Sequence, residues 1–263
     1  MAFNNNPYDN RQYRNTPYCD NHQQQPRNLF PSLWTDPDEL ARATGACLAR
    51  VFIRMFVALL VTAAVAYGVY QTPAISHVLL ANFPLFIAMM GVQVILVLAL
   101  SAKVMTMSPV ISNIMFFIYA IITGLSISFI FIIYPISTIF QAFAISALMF
   151  GAMAIYGTIT RRDLTGLGSF LFMALIGLII ASVINMFFWG GDTMFMLLNY
   201  AGVLIFVGLT AYHTQRIKKM LEEANEASCE DAIKKISVIG ALSLYLSFIN
   251  IFLRVLTILG RRR

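Results

Sequence analysis

Residues 111–134, ISNIMFFIYAIITGLSISFIFIIY, run into Pro135 and then into residues 136–160, ISTIFQAFAISALMFGAMAIYGTIT, without one Asp, Glu, Lys or Arg between them. A bilayer core about 30 Å thick needs about 20 apolar helical residues, so each half is long enough to cross it. Tyr134-Pro135 supplies the stop between the two spans, because proline cannot continue a helix. Working outward, five more runs of this kind appear: Val51 to Tyr70, Phe83 to Ala102, Ser169 to Phe188, Met194 to Tyr212 and Ile236 to Leu259. The sequence therefore predicts an all-α, multi-pass integral membrane bundle of about seven transmembrane helices.

Composition agrees. The chain is 59% hydrophobic and 11% charged, with a mean hydropathy of +0.75, whereas a soluble domain carries roughly 25% charged residues. Its acids lie in polar gaps (Asp163, Asp192, Glu222, Glu223, Glu226, Glu230, Asp231) or before the first run (Asp9, Asp20, Asp36, Asp38, Glu39), so no carboxylate falls inside a span. The net charge of +6 does not point to nucleic acid, since its Lys and Arg residues flank apolar runs instead of forming one basic face.

Those cations set an orientation. Arg42, Arg50, Lys103, Arg161, Arg162, Arg216, Lys218, Lys219, Lys234 and Lys235 flank one set of alternate loops, while the loops around His77, Pro135 and Asp192 hold none. The positive-inside rule then places the N-terminus in the cytoplasm. Seven spans put Arg261, Arg262 and Arg263 on the other side, so the last run is read as a true span, with a re-entrant hairpin as the alternative. Residues 1–35 are rich in Asn, Gln and Pro and are expected to be a disordered cytoplasmic tail. No cleavable signal peptide is expected at the start, and the membrane bundle is assigned to residues 36–263. Asp36-Pro37-Asp38-Glu39 reads as a helix start, with Asp36 as N-cap and Pro37 at the first helical position. Cys19, Cys47 and Cys229 show no ligand spacing and are expected to be free thiols.

Polar residues inside a membrane are costly and are the first functional candidates. Here they are Arg54, Gln93, Asn185, Asn199, Asn250 and Arg254, with His213 and Ser247 near or within the last two spans. Arg54 and Arg254 are expected to snorkel toward headgroups, and Asn185 and Asn199 to bond between helices. Small residues four apart, at Ala120, Gly124 and Ser128, and again at Ala147 with Gly151 and Gly177 with Ala181, are expected to serve close helix packing. The chain has no GxSxG, no HExxH and no paired carboxylates in a span, so it is not expected to be an enzyme. No cofactor or bound metal is expected.

Longer motifs carry a resemblance: Ser101-Ala102-Lys103, Tyr119 to Ser128 (YAIITGLSIS), Tyr156 to Leu164 (YGTITRRDL), Phe170 to Asn185 (FLFMALIGLIIASVIN), Val207 to Lys218 (VGLTAYHTQRIK) and Gly240 to Leu253 (GALSLYLSFINIFL). From about Arg50 onward the sequence resembles the bacterial branch of the Bax inhibitor-1 family. That resemblance implies a seven-helix bundle with its last helix central and short loops at both rims, in a bacterial inner membrane. It implies a pH-sensitive calcium leak in some members, latched by two aspartates that share a proton and pair with a basic residue. In other bacterial members it implies restraint of a membrane-anchored AAA protease. Where the two aspartates are expected, this chain has His213 and Ser247. Gln93 takes a second-span position that is Glu or Gln in relatives, and Lys103 is the nearest basic candidate for the latch. His213 and Ser247 can share a neutral hydrogen bond but offer no anion to calcium. The readings are thus a cation leak with a degenerate latch, or a non-conducting regulator that binds a partner protein.

Overall fold

The computed structural model describes residues 37–72, 83–104, 106–185, 187, 191–227 and 229–261. The expected disordered tail and the Asp36 cap lie outside them. The helices are α1 (Pro37–Gln71), α2 (Phe83–Lys103), α3 (Pro109–Ile127), α4 (Ile130–Ile133), α5 (Ile136–Ile159), α6 (Thr165–Ile184), α7 (Asp192–Glu226) and α8 (Glu230–Gly260). Counting α3 with α4, six are long and apolar enough to cross a membrane, and α2 adds a shorter apolar helix.

The last helix is central. α8 packs against α1, α3, α5 and α7, and 67% of its apolar window is buried, against 17% for α6. Burying so much of α8 requires apolar residues all round it, and Leu242, Leu244, Tyr245, Ile251 and Leu256 are all essentially inaccessible. The outer helices instead turn Ile, Leu and Phe outward, as at Phe140, Leu148, Phe170 and Leu204, where lipid is the solvent.

The third span is not one unbroken helix. Ser128 donates its hydroxyl to Leu125 O at 2.7 Å, and the following turn tightens as Phe131 N bonds to Ser128 O and Ile132 N to Phe129 O. A hydroxyl competing for the helix's own carbonyls gives this kind of break. Pro135 then starts α5, as the sequence predicts.

The segment between the last two spans is also not a loop. α7 continues to Glu226 and α8 begins at Glu230. α1 and α7 have 35 residues each and α8 has 31, which makes them about 46–52 Å long at 1.5 Å per residue. A core of about 30 Å leaves roughly 15–20 Å of each projecting on one rim. There the bundle's hydrophobic core continues between them: Cys47 and Leu48 from α1, Leu221 and Ala224 from α7, and Ala232 from α8 are all buried. Asn225 Nδ2 donates to Thr44 Oγ1 across it at 3.3 Å. Beside the short loops of this rim, such as residues 160–164 between α5 and α6, the three helices thus add a collar.

At the opposite rim α8 ends beside the start of α7. Arg261 pairs with Asp192 and stands 5.7 Å from the Phe195 ring centre, while Gly260 lies against Tyr134. The continuous helix and this ion pair agree with a true span and not with a re-entrant hairpin. Cys47 is a free, buried thiol, but Cys229 is disulfide-bonded, which corrects the expectation of a free thiol there. Pairing depends on sulfur atoms meeting in space, which spacing along the chain does not report.

Candidate functional site

His213 lies on α7 and Ser247 on α8, the two helices of the final hairpin. The contact of Gly240 with Ile217 and that of Gly202 with Arg254 fix the register of this pair. They place His213 level with residues one turn before Ser247. The two side chains share no hydrogen bond among the described residues. The Ser247 hydroxyl, only 2% exposed, donates to Ser243 O at 3.0 Å instead. His213 is half-buried and joins no ion pair with a carboxylate among the described residues.

The other two candidates stand apart from them. Lys103 is exposed at the end of α2, where its carbonyl accepts from Thr106 and Met107. Gln93 donates through Nε2 to the buried Ser126 hydroxyl on α3 at 2.9 Å, a bond that ties α2 to α3. No group of three or more His, Cys, Asp or Glu side chains gathers among the described residues. The structure thus places His213 and Ser247 on adjacent helices about one turn apart in level, and Gln93 and Lys103 on α2.

Small residues pack where helices cross. The Ala120 carbonyl accepts from Thr62 Oγ1 at 3.0 Å, and a Cβ on Gly124 would stand 2.7 Å from Thr62 O and 2.9 Å from Val65 Cβ. α1 and α3 therefore touch backbone to backbone. Ser128 continues the stripe only as the break already described. Gly151 and Gly177 have nothing within 4 Å of where a Cβ would be, so the spacing at those pairs does not mark a close approach. Uniformly apolar helices such as α6 leave the lipid-facing side undecided by pattern alone.

Near Ala120 sits a fully buried tyrosine. Tyr245, with no exposed surface, lies between the rings of Phe116 and Tyr119, edge to face at 5.8 and 5.9 Å. Its hydroxyl is 2.7 Å from Thr62 Oγ1. This plug falls in the SLYLS stretch, and nothing in its sequence separated it from ordinary aromatic filling.

Arg254 does not snorkel. Its guanidinium stays inside the bundle, Nη1 donating to Leu198 O at 3.3 Å, 5.6 Å from the Phe206 ring centre, and against Gly202, where any Cβ would overlap it. Its Nε is buried with no partner among the described residues, as is one Arg54 nitrogen, Nη1. Asn199 bonds within its own helix, to Phe195 O at 2.9 Å, and Asn185 Oδ1 has no partner among the described residues, so neither makes the interhelical bond expected of it. Phe206 and Gly202 were the available signals for Arg254, since a glycine one crossing away from a buried arginine gives it room.

A second polar site on the collar rim was not read from the sequence. Gln215 of α7 clamps the α5–α6 loop from both sides. Its Oε1 accepts from Leu164 N at 2.9 Å, and its Nε2 donates to Arg162 O at 2.8 Å and Thr160 O at 3.4 Å. Lys218 Nζ donates to Thr158 O at 3.2 Å, and Lys219 Nζ meets Asp163 Oδ1 at 2.9 Å. Lys219 and the Thr165 hydroxyl and amide, all donating to Asp163, hold its carboxyl at about 2, well below the usual carboxylate value. Gln215 lies inside the TAYHTQRIK stretch, so the motif contained the clamp although its partners could not be named.

Known proteins give the rest. A family model described as Inhibitor of apoptosis-promoting Bax1 matches residues 44–263. The inner membrane protein YbhL of Escherichia coli (strain K12) is 42% identical over 217 residues, 82% of this chain and 92% of that protein. An uncharacterized protein of Borreliella burgdorferi is 40% identical over 219 residues, 82% and 92% of the two chains. One of Deinococcus radiodurans is 35% identical over 212 residues, 80% and 88%. With the match spanning every helix from the first turns of α1 to the end of α8, this chain belongs to the Bax inhibitor-1 family of membrane proteins.

Proposed function

We propose that this protein is a non-conducting regulator, sited in a bacterial inner membrane with its N-terminus and collar in the cytoplasm, that binds and restrains a membrane-anchored AAA protease. The observation that carries this reading is the collar. Three helices continue as one packed unit beyond the bilayer, directly after the N-terminal tail, and give a partner protein a rigid surface beside an adaptable segment. The relative YbhL, named for the inner membrane, and the cations grouped on the collar rim support the siting. The protein is not proposed to catalyse a reaction.

A calcium leak is the second reading. It is less well supported, because the spans contain no carboxylate, two arginines keep nitrogens buried within them, and the central helix is closed by Tyr245 and its aromatic neighbours. An arginine inside a bundle is an electrostatic barrier to cations.

The test pairs two measurements. Deleting residues 1–33 or disrupting the collar core is expected to leave a folded bundle that no longer co-purifies with the protease. In proteoliposomes loaded with a calcium dye, the natural chain is expected to leak no faster than protein-free vesicles between pH 6 and 8. The His213→Asp, Ser247→Asp double variant serves as the conducting comparison. A natural-chain flux that changes with pH would overturn the proposal in favour of the leak.

A further inference from the structure

Five basic side chains meet where α5 turns into α6 and α7 leaves the bundle: Arg161, Arg162, Arg216, Lys218 and Lys219. Two carboxylates stand among them, Asp163 on Lys219 at 2.9 Å and Glu222 at 3.8 Å from Lys218. Arg161, Arg162 and Arg216 are exposed and have no carboxylate partner among the described residues. The cluster therefore keeps a net positive charge of about three.

Two of these cations, Arg216 and Lys219, also line an open cleft. Thr165 at the start of α6 faces Tyr212, Gln215, Arg216 and Lys219 of α7 across it. Its walls are held by the Gln215 clamp and by the Lys219–Asp163 pair, so Arg216 projects from a fixed frame. Charges that only set membrane orientation need no such concavity.

The depth is that of lipid headgroups. α5 ends at Ile159 and α6 begins at Thr165, and both helices span the bilayer. Tyr156, Ile159, Leu167 and Phe170 point outward just beneath the cleft. A molecule with an anionic head and apolar chains would meet cations and an apolar wall together. Guanidinium binds phosphate oxygens two at a time, and in the interfacial dielectric such a pair is stronger than in water.

We propose that this cleft binds the phosphate headgroup of an anionic phospholipid, with Arg216 and Lys219 as its direct cations and Arg161 and Arg162 adding to the field. The site is independent of whether the bundle restrains a protease or conducts an ion.

The test uses the full chain in detergent and native mass spectrometry, with phosphatidylglycerol and phosphatidylcholine as the added lipids. The natural chain is expected to retain phosphatidylglycerol and to release phosphatidylcholine. Arg216→Gln is expected to weaken phosphatidylglycerol retention about tenfold, the loss expected for one charge-assisted phosphate contact. Arg42→Gln, which removes an equally exposed cation on α1, should leave it unchanged. Arg216 is exposed, so the variant should keep the natural melting temperature, and that is checked in the same sample. Equal losses for Arg216→Gln and Arg42→Gln would overturn the proposal by reducing the effect to diffuse surface charge. Equal retention of phosphatidylcholine, or displacement of the lipid by millimolar inorganic phosphate, would overturn it as well.

Discussion

Thr62 Oγ1 and the phenolic oxygen of Tyr245 lie 2.7 Å apart at the centre of the bundle, though 183 residues separate them in the chain. The Thr62 hydroxyl has one proton, and that proton serves the carbonyls of Ala58 and Ala120, each at 3.0 Å. With its proton on those carbonyls, Thr62 is left to accept, and Tyr245 is assigned as the donor in this pair. One bond from the central helix thus lands on the residue that already links α1 to α3.

Tyr245→Phe removes the donor and leaves Thr62 an acceptor without a partner, while its own proton stays bonded. The expected cost is about 0.5–1.5 kcal/mol, in the range measured for hydrogen bonds between membrane helices. Thr62→Val should cost more, because it also removes the bond to Ala120 O. Equilibrium unfolding in mixed micelles would rank the two, and a larger loss for Tyr245→Phe would contradict the donor assignment.

Gly124→Ala places a methyl against the Thr62 carbonyl, and backbone cannot move aside as a flexible side chain can. A destabilisation of about 1–3 kcal/mol is expected. Gly177→Ala meets open space and should stay within about 0.5 kcal/mol of the natural chain. Similar melting temperatures for both variants would remove the α1–α3 contact from the account.

Gln215→Ala strands the buried Leu164 amide and frees two loop carbonyls. A loss of about 1–3 kcal/mol is expected. Hydrogen exchange should speed up at Leu164 while the amides of α3 stay protected. Uniform acceleration through the bundle would mean that the clamp has no local role.

The carboxyl of Asp163 sits at about 2 in the folded protein, below the 3.8 of a free aspartate. A depressed value stabilises the charged form, so the loop contact is complete above about pH 4 and is lost as pH falls toward 2. Amide protection at Thr165, compared at equal intrinsic exchange rates, should thus be constant from pH 5 to 8 and drop only below about pH 4. Asp163→Asn should show the low-pH behaviour at neutral pH. A transition near neutral pH would remove Asp163 as its cause.

The spans themselves were legible because bilayer thickness fixes the length of an apolar run, and the run read from Ile136 to Thr160 forms α5 over Ile136–Ile159, whereas the run from Phe83 to Ala102 forms the shorter apolar helix. The collar was not legible. After Tyr212 the residues turn polar and read as a loop, yet they continue α7 to Glu226, with Leu221 and Ala224 buried in the same core as Cys47, far back in the chain. Spacing identified Gly124 and Gly177 alike, and only the neighbouring helix distinguishes them. At the candidate site, the identities of His213 and Ser247 were visible, but not that the Ser247 hydroxyl turns back onto its own helix, to Ser243 O. Arg254 was misread for a related reason: its distance from the span end allowed snorkelling, whereas the room made by Gly202 draws it inward.

α8 runs without interruption from the collar tip at Glu230 to the Arg261–Asp192 pair at the far rim. A helix about 46 Å long with no internal joint behaves as a lever. Any tilt of its collar end is carried along the helix past the packed aromatic contacts of Tyr245 to the far rim. Force applied in one aqueous compartment would then register in the other as strain on a single arginine–aspartate contact.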